Sequence, residues 1–367
     1  MRILIAAGGT GGHLYPGIAL ARALSGHEII FVVRRGDLGR EILQKEGFPV
    51  KEIAGQGLPR TFSLRAFCFP FNFIRGWWEA WHLLRDLRPD FVVGMGGYLS
   101  FPVIVTAHRL GMRTLLHEQN VLPGLANLWL ARWADSIAVS FQESLAHFSV
   151  GKTWVSGLPI RADIGTIDSR KARQDFGLDS AEPTFLVFGG SQGARHLNEM
   201  CLEAFKSLAS EQLRFQVLHI TGPQSFESIR SGYAPLPMRS VVLPYCHAMA
   251  AAYAAADWVV CRAGASTIAE LIAARRPSTL VPYPYASNNH QVYNAKVLSA
   301  AGVAIVILEK DLTRNVLFKE FRDLAMNPDR VSVIQKRFDS LPKPVPAAAS
   351  LLSAFLTKGA PQNANLL

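Results

Sequence analysis

A histidine closes the first glycine-rich turn of this chain. ILIAAGGTGGH runs from an apolar stretch through Gly8, Gly9, Thr10, Gly11 and Gly12 to His13. Glycines between a strand and a helix let backbone N–H groups approach an anion, and the helix N-terminus adds the positive end of its dipole. An imidazole beside such a cradle suits a transfer reaction in which an alcohol must lose a proton near neutral pH. FLVFGGSQGA repeats the arrangement from Phe185, and GMGGY at Gly94–Tyr98 adds a third glycine turn.

Three polar clusters suit a polyol. HEQN at His117–Asn120 follows an apolar run, where open α/β sheets bind their ligands. In CRAGASTIAE, Arg262 suits a phosphate and Glu270 suits vicinal hydroxyls, as a carboxylate grips a ribose. NNHQVYNA at Asn288–Ala295 is a run of amides around His290. The chain contains no D-x-D and no His/carboxylate cluster at metal-ligand spacing, so no metal and no cofactor are expected. A P-loop fails for want of the Lys-Ser/Thr pair. A dinucleotide fingerprint fails at Leu14, although Arg34 and Arg35 after the second strand suit a 2′-phosphate. An NADP-binding oxidoreductase is therefore an alternative reading.

These motifs need a scaffold, and the apolar pattern supplies one. Strands are predicted at Ile3–Ala7, Ile29–Val33, Phe91–Gly94, Thr114–His117 and Ser136–Val139. Helical patterns lie between them near Tyr15–Leu24, Gly76–Leu87 and Gly124–Ala131. The pattern restarts at Thr184–Phe188, with a helix at Arg195–Leu208 and strands at Phe215–Ile220, Val241–Leu243, Trp258–Val260 and Ser278–Val281. Strands alternating with helices imply parallel sheets covered on both faces, an α/β class with two Rossmann-like halves. The linker falls near Ser156–Ile164, dividing the chain into residues 1–158 and 159–335. A tail of about 336–357 is helical around Ala347–Leu356 and crosses back onto the first half.

The 367 residues are 49% hydrophobic and 18% charged, which excludes a disordered chain. A formal charge of +10 favours anionic partners: nucleic acid, acidic lipid or a phosphorylated substrate. Four cysteines without a C-x-x-C pair read as reduced thiols of a cytosolic protein. MRILIAAGG does not read as a secretory leader, and no apolar run reaches spanning length, so a soluble or peripheral protein is expected. Arg60–Arg88 interleaves Phe and Trp with Arg; Arg75, Trp77 and Trp78 suit a bilayer interface with anionic lipid. No nucleic-acid motif accompanies it, so no nucleic acid partner is expected.

Taken in order, GGTGGHLYPG, GMGGY, HEQN, GGSQGA, MAAAYAAADWVVCRAGASTIAE and NHQ-x-x-NA resemble the MurG family of UDP-N-acetylglucosamine transferases, from Arg2 to about Ala301. The resemblance implies a GT-B fold with an interdomain cleft. The second domain holds UDP-GlcNAc. The first binds the acceptor lipid I, undecaprenyl-pyrophosphoryl-MurNAc-pentapeptide, and touches the cytoplasmic face of the inner membrane as a peripheral protein. It further implies metal-independent, inverting transfer of GlcNAc to the MurNAc 4-hydroxyl. Another GT-B glycolipid transferase is the alternative within that fold. Carried across, Ser191 and Gln192 lie beside the diphosphate and Arg161 reaches the donor side. Cys246 and Met249 line the uracil pocket, and Glu270 takes the ribose hydroxyls. Ala265, His290, Gln291 and Asn120 meet the sugar. Thr10, Gly11, Gly12, Gly96, Gly97 and Tyr98 form the acceptor side, with His13 the first candidate base and Glu118 the second. Two positions depart from the family pattern: Leu158 replaces Asn in GLPIR, and Phe101 replaces Gly after GMGGY, where it is expected to narrow the acceptor loop.

Overall fold

Apolar runs too short for helices, separated by helical stretches, fold into two parallel sheets. The computed structural model describes residues 1–8, 11–55, 64–190, 193–341 and 347–358. The first sheet contains β1 (Arg2–Ala6), β2 (Glu28–Arg34), β3 (Val50–Ile53), β4 (Phe91–Gly94), β5 (Arg113–Glu118), β6 (Ser136–Val139) and β7 (Thr153–Val155). Its order is β3-β2-β1-β4-β5-β6-β7. The second contains β8 (Thr184–Phe188), β9 (Gln216–Ile220), β10 (Arg239–Leu243), β11 (Trp258–Cys261), β12 (Ser278–Leu280) and β13 (Ala304–Val306), in the order β10-β9-β8-β11-β12-β13. The chain divides into one compact unit of residues 1–160 with 345–367, and another of residues 161–344.

In the first unit the strands alternate their burial between two layers. Ile3 and Ile5 join Phe31, Val33 and Val93 in a core beneath the Gly11–Ala23 helix. Leu4 and Ala6 join Val92, Leu116 and Val139 beneath the Leu64–Leu87 and Ser100–Arg109 helices. The Ala347–Lys358 helix belongs to the first layer, because Leu352 and Leu356 are fully buried among its residues. Their four-residue spacing puts both on one helical face.

Three elements differ from the sequence reading. The first helix starts at Gly11, not near Tyr15, so Pro16 lies inside it and His13 falls in its first turn. The Arg60–Arg88 stretch is one helix from Leu64 to Leu87, twice the predicted span, and residues 60–63 lie outside the described residues. It approaches the end of β3 closely: a Cβ on Gly76 would lie 2.2 Å from the Ala54 carbonyl oxygen, and Glu79 accepts from the Ala54 N–H at 2.6 Å. Phe101 does not face the glycine turn; its ring packs 5.9 Å from Phe73 and 6.2 Å from Trp77, between two helices. Leu158 is buried at 4% exposure.

Candidate active site

In each sheet the strand order reverses once, between β1 and β4 and between β8 and β11. Ligands of open α/β sheets bind outside the carboxyl ends of the strands at such switch points. The glycine turns after β1, β4 and β8, and CRAGAS after β11, all leave from those ends. Within each unit, topology therefore gathers motifs that lie far apart along the chain.

In the first unit His13 is the centre of the gathering. Its Nδ1 lies 3.1 Å from Gln119 Oε1. Gly96 and Gly97 wrap the ring at φ +91° and +76°. A Cβ on Gly96 would lie 3.2 Å from His13 Cε1 and 3.3 Å from Gln119 Oε1, and one on Gly97 3.7 Å from His13 Nε2. Left-handed backbone and close approach both call for glycine here. Gly11 and Gly12 are the first residues of the helix, and Tyr98 is exposed on the GMGGY turn. Thr10 lies outside the described residues.

HEQN, which suits a polyol by composition, turns three of its four side chains inward. β5 runs in the interior of the sheet to Glu118, so His117, Glu118 and Gln119 are at most 2% exposed and bond inward. Glu118 Oε1 accepts from the Asn120 N–H at 2.8 Å and Nδ2 at 3.3 Å; Oε2 accepts from Gly124 N at 3.2 Å and Asn127 Nδ2 at 2.7 Å. Burial raises the Glu118 carboxyl above its ordinary range, and these donors pull against it. His117 Nε2 lies 3.2 Å from the Gly157 carbonyl, and burial lowers its pKa to about 4, so it is neutral at pH 7. Asn120 is half-buried, its carbonyl accepting from Ser144 Oγ at 3.0 Å.

In the second unit Glu270 sits in the Ala265–Ala274 helix, between two partners. The Tyr253 hydroxyl donates to Oε2 at 2.9 Å, and Arg161 Nη2 lies 3.6 Å from Oε1. Burial raises the carboxyl, while Arg161 and Tyr253 draw it down. Arg161 also donates to the His247 carbonyl at 3.3 Å, beside Cys246, whose thiol is pushed up by burial. Met249 begins the next helix, Met249–Ala255. Ala265 opens its helix behind Gly264, with no side chain capping it. Gln291 Oε1 accepts from Ala263 N at 3.2 Å and Tyr283 N at 2.9 Å, tying the amide run to that same turn. His290 Nδ1 donates to the Ser287 carbonyl at 2.9 Å, after Asn288 and Asn289 at φ +52° and +53°.

Arg262 does not face an open phosphate site. It pairs with Glu309 and donates to the Val281 carbonyl at 3.2 Å, with its side chain 11% exposed. GGSQGA needs its glycines for close approach: a Cβ would lie 2.4 Å from Ala194 N at Gly189 and 2.3 Å from the Thr221 carbonyl oxygen at Gly193. Ser191 and Gln192 lie outside the described residues. Sequence reasoning did not single out Gln119, Asn127 or Tyr253. Gln119 lies inside the quoted HEQN and Tyr253 inside the quoted MAAAYAAADWVV, with no role assigned to either; Asn127 lies in no quoted motif.

The surface helix keeps Ile74, Arg75 and Trp78 outward, with Trp78 63% exposed. Trp77 turns inward instead, with Phe73 at 5.8 Å and the Arg109 guanidinium 5.2 Å from its ring. Among the described residues, no helix is long and apolar enough to cross a membrane.

Two Rossmann-like units in one chain, each with glycine loops at its switch point, make this a GT-B glycosyltransferase fold. The model of the glycosyltransferase family 28 N-terminal domain matches residues 3–139, and that of the family 28 C-terminal domain matches residues 184–343. The chain belongs to glycosyltransferase family 28 and, within it, to the MurG family, the UDP-N-acetylglucosamine–N-acetylmuramyl-(pentapeptide) pyrophosphoryl-undecaprenol N-acetylglucosamine transferases. A so-named relative from Thermoanaerobacter sp. (strain X514) is 39% identical over 352 residues, covering 94% of this chain and 96% of its own. Another from Anaeromyxobacter dehalogenans is 40% identical over 336 residues, covering 90% and 86%. The crystal structure of Acinetobacter baumannii MurG superposes with a TM-score of 0.79 at 28% identity, covering 97% of this chain and 99% of that one.

Proposed function

We propose that this protein transfers GlcNAc from UDP-GlcNAc to the MurNAc 4-hydroxyl of lipid I, making lipid II for peptidoglycan synthesis. The observation that carries the reading is the near-full-length identity to transferases of that name, over a chain whose glycine loops and His13 lie at its switch points. The 4-oxygen attacks C1 of the α-linked GlcNAc as the bond from C1 to the diphosphate oxygen breaks. His13 Nε2 takes the hydroxyl proton, UDP leaves, and the new β(1→4) bond has inverted configuration. Base catalysis of this kind is typically worth about 10²–10⁴ in rate. The N-terminus of the Arg195–Ala209 helix, behind GGSQGA, stabilises the charge that develops on the leaving diphosphate.

The other residues take roles that follow from their partners. Glu270, oriented by Tyr253 and Arg161, receives the ribose hydroxyls. Cys246 and Met249 flank the uracil, Ser191 and Gln192 the diphosphate. Ala265, His290, Gln291 and Asn120 meet the sugar. Gly11, Gly12, Gly96, Gly97, Thr10 and Tyr98 shape the acceptor side. With four donors on its carboxylate, Glu118 serves as the post on which the 118–127 loop is built, and the base is His13. Trp78, Ile74 and Arg75 meet anionic lipid at the cytoplasmic face of the inner membrane, where the protein acts peripherally.

The test uses labelled UDP-GlcNAc and a lipid I analogue with EDTA present. Label moving onto the lipid supports both the acceptor and metal-independent transfer. UDP binding without transfer, unrepaired by magnesium, overturns the acceptor assignment; repair by magnesium overturns metal independence alone.

A further inference from the structure

The hydrogen bonds behind His13 have a direction, and it can be read from their far end. The Gly157 carbonyl only accepts, so His117 Nε2, 3.2 Å away, carries the proton of that neutral ring. His117 Nδ1 is then an acceptor. Gln119 Nε2 lies 3.1 Å from it and 2.7 Å from the Met95 carbonyl, which again only accepts. Two acceptors on one side fix the Gln119 amide with its NH₂ toward them. Its Oε1 therefore faces His13 Nδ1 at 3.1 Å and can only accept.

We infer that Gln119 is a positioning residue that holds His13 in its Nδ1–H tautomer, so that the basic lone pair is on Nε2 at the acceptor side. Two backbone carbonyls thereby select the tautomer of a histidine one and two side chains away. The same bond steadies the imidazolium after proton transfer, because Nδ1–H stays donated to Gln119 Oε1. A carboxamide does this without placing a second charge in the interior, where an unpaired carboxylate is costly. Gly96, whose missing Cβ would press on both His13 and Gln119, keeps the bond unobstructed. A wrong tautomer alone disables a histidine base, as it does in serine proteases.

This inference rests on His13 as the base, and its test separates the two. The full-length protein labelled with ¹⁵N-histidine is observed above the pH at which His13 titrates, with His13 assigned by comparison with His13→Gln. The expected spectrum has a protonated Nδ1 and a pyridine-like Nε2. A protonated Nε2 in the unaltered protein overturns the inference, whatever any variant does. Gln119→Leu is expected to shift His13 toward the Nε2–H form and to lower kcat about 10²-fold, with the KM for UDP-GlcNAc changed by less than about two-fold. In a His13→Ala background the same substitution is expected to cost nothing further; an equal loss in both backgrounds assigns Gln119 a general structural role and overturns the catalytic consequence. Near-normal turnover by His13→Ala removes the base reading, and the spectrum alone then decides whether Gln119 sets the tautomer.

Discussion

Gly96 shows how little freedom the individual residues have. Its φ of +91° strains any side chain, and the 3.2 Å approach to His13 Cε1 makes a methyl group a tight fit. Gly96→Ala is expected to cost about 1–3 kcal/mol of strain and to lower kcat more than it raises the KM for UDP-GlcNAc; urea unfolding and steady-state kinetics check both. Two buried histidines carry a pH dependence. His117 is lowered to about 4 and His219 to about 3, both by burial, from an ordinary 6.5. His219 is held like His117: its Nδ1 lies 3.0 Å from the Tyr233 hydroxyl and its Nε2 3.1 Å from Asn198 Oδ1, whose amide donates to the Thr221 carbonyl at 2.8 Å. Between those lowered values and 6.5 the unfolded chain binds more protons than the folded one, so the stability is complete above 6.5 and falls as the pH falls. By pH 5 each ring should have cost its own unit about 2 kcal/mol. Denaturant midpoints that stay level from pH 7 to 5 refute this.

At the scale of elements, the Leu64–Leu87 helix divides its work between two faces. Glu79 bonds Ala54 N, Arg75 and Arg35, and burial works against the ion pairs and hydrogen bonds that lower its carboxyl. The adjoining face presents Ile74 and Trp78 to solvent, with Arg75 at its border. Trp78→Ala is expected to weaken binding to anionic vesicles about ten-fold without moving the unfolding midpoint, an apolar loss of about 1–2 kcal/mol. Trp77→Ala should lower the midpoint, since that ring packs against Phe73 and Phe101. Flotation and thermal melts on the two variants tell them apart. The contrast also marks what could be read from the chain. Continuous apolar runs such as FLVF and WVVC are fully buried central strands and were legible. β3, β7 and β13 were not, because they are edge strands of three or four residues whose partly exposed sequences, VKEI, TWV and AIV, lack a long run. His13 was legible from the glycine loop before it. His117 and Gln119 read as part of a polyol cluster, because nothing local records that the Gly157 and Met95 carbonyls, distant in sequence, take up their hydrogen bonds.

Across the whole molecule, the first unit is built from the two ends of the chain and the second from its middle. Leu352 and Leu356 lie in the same core cluster as Leu14, Ile18 and Phe31, although more than half the sequence separates them. Leu352→Ala is expected to destabilise the first unit by about 2–5 kcal/mol while leaving UDP affinity unchanged; calorimetry with and without UDP checks it. The same placement has a consequence during synthesis. A ribosome delivers residues 161–344 before it delivers the helix that completes the first core. The first-made part of the chain must therefore wait, its Leu14 face uncovered, while the later part is free to fold behind it. A chain ending at residue 344 and released from the ribosome should show a protease-resistant second half beside a cleavable first half, and the chain that includes the Ala347–Lys358 helix should resist in both.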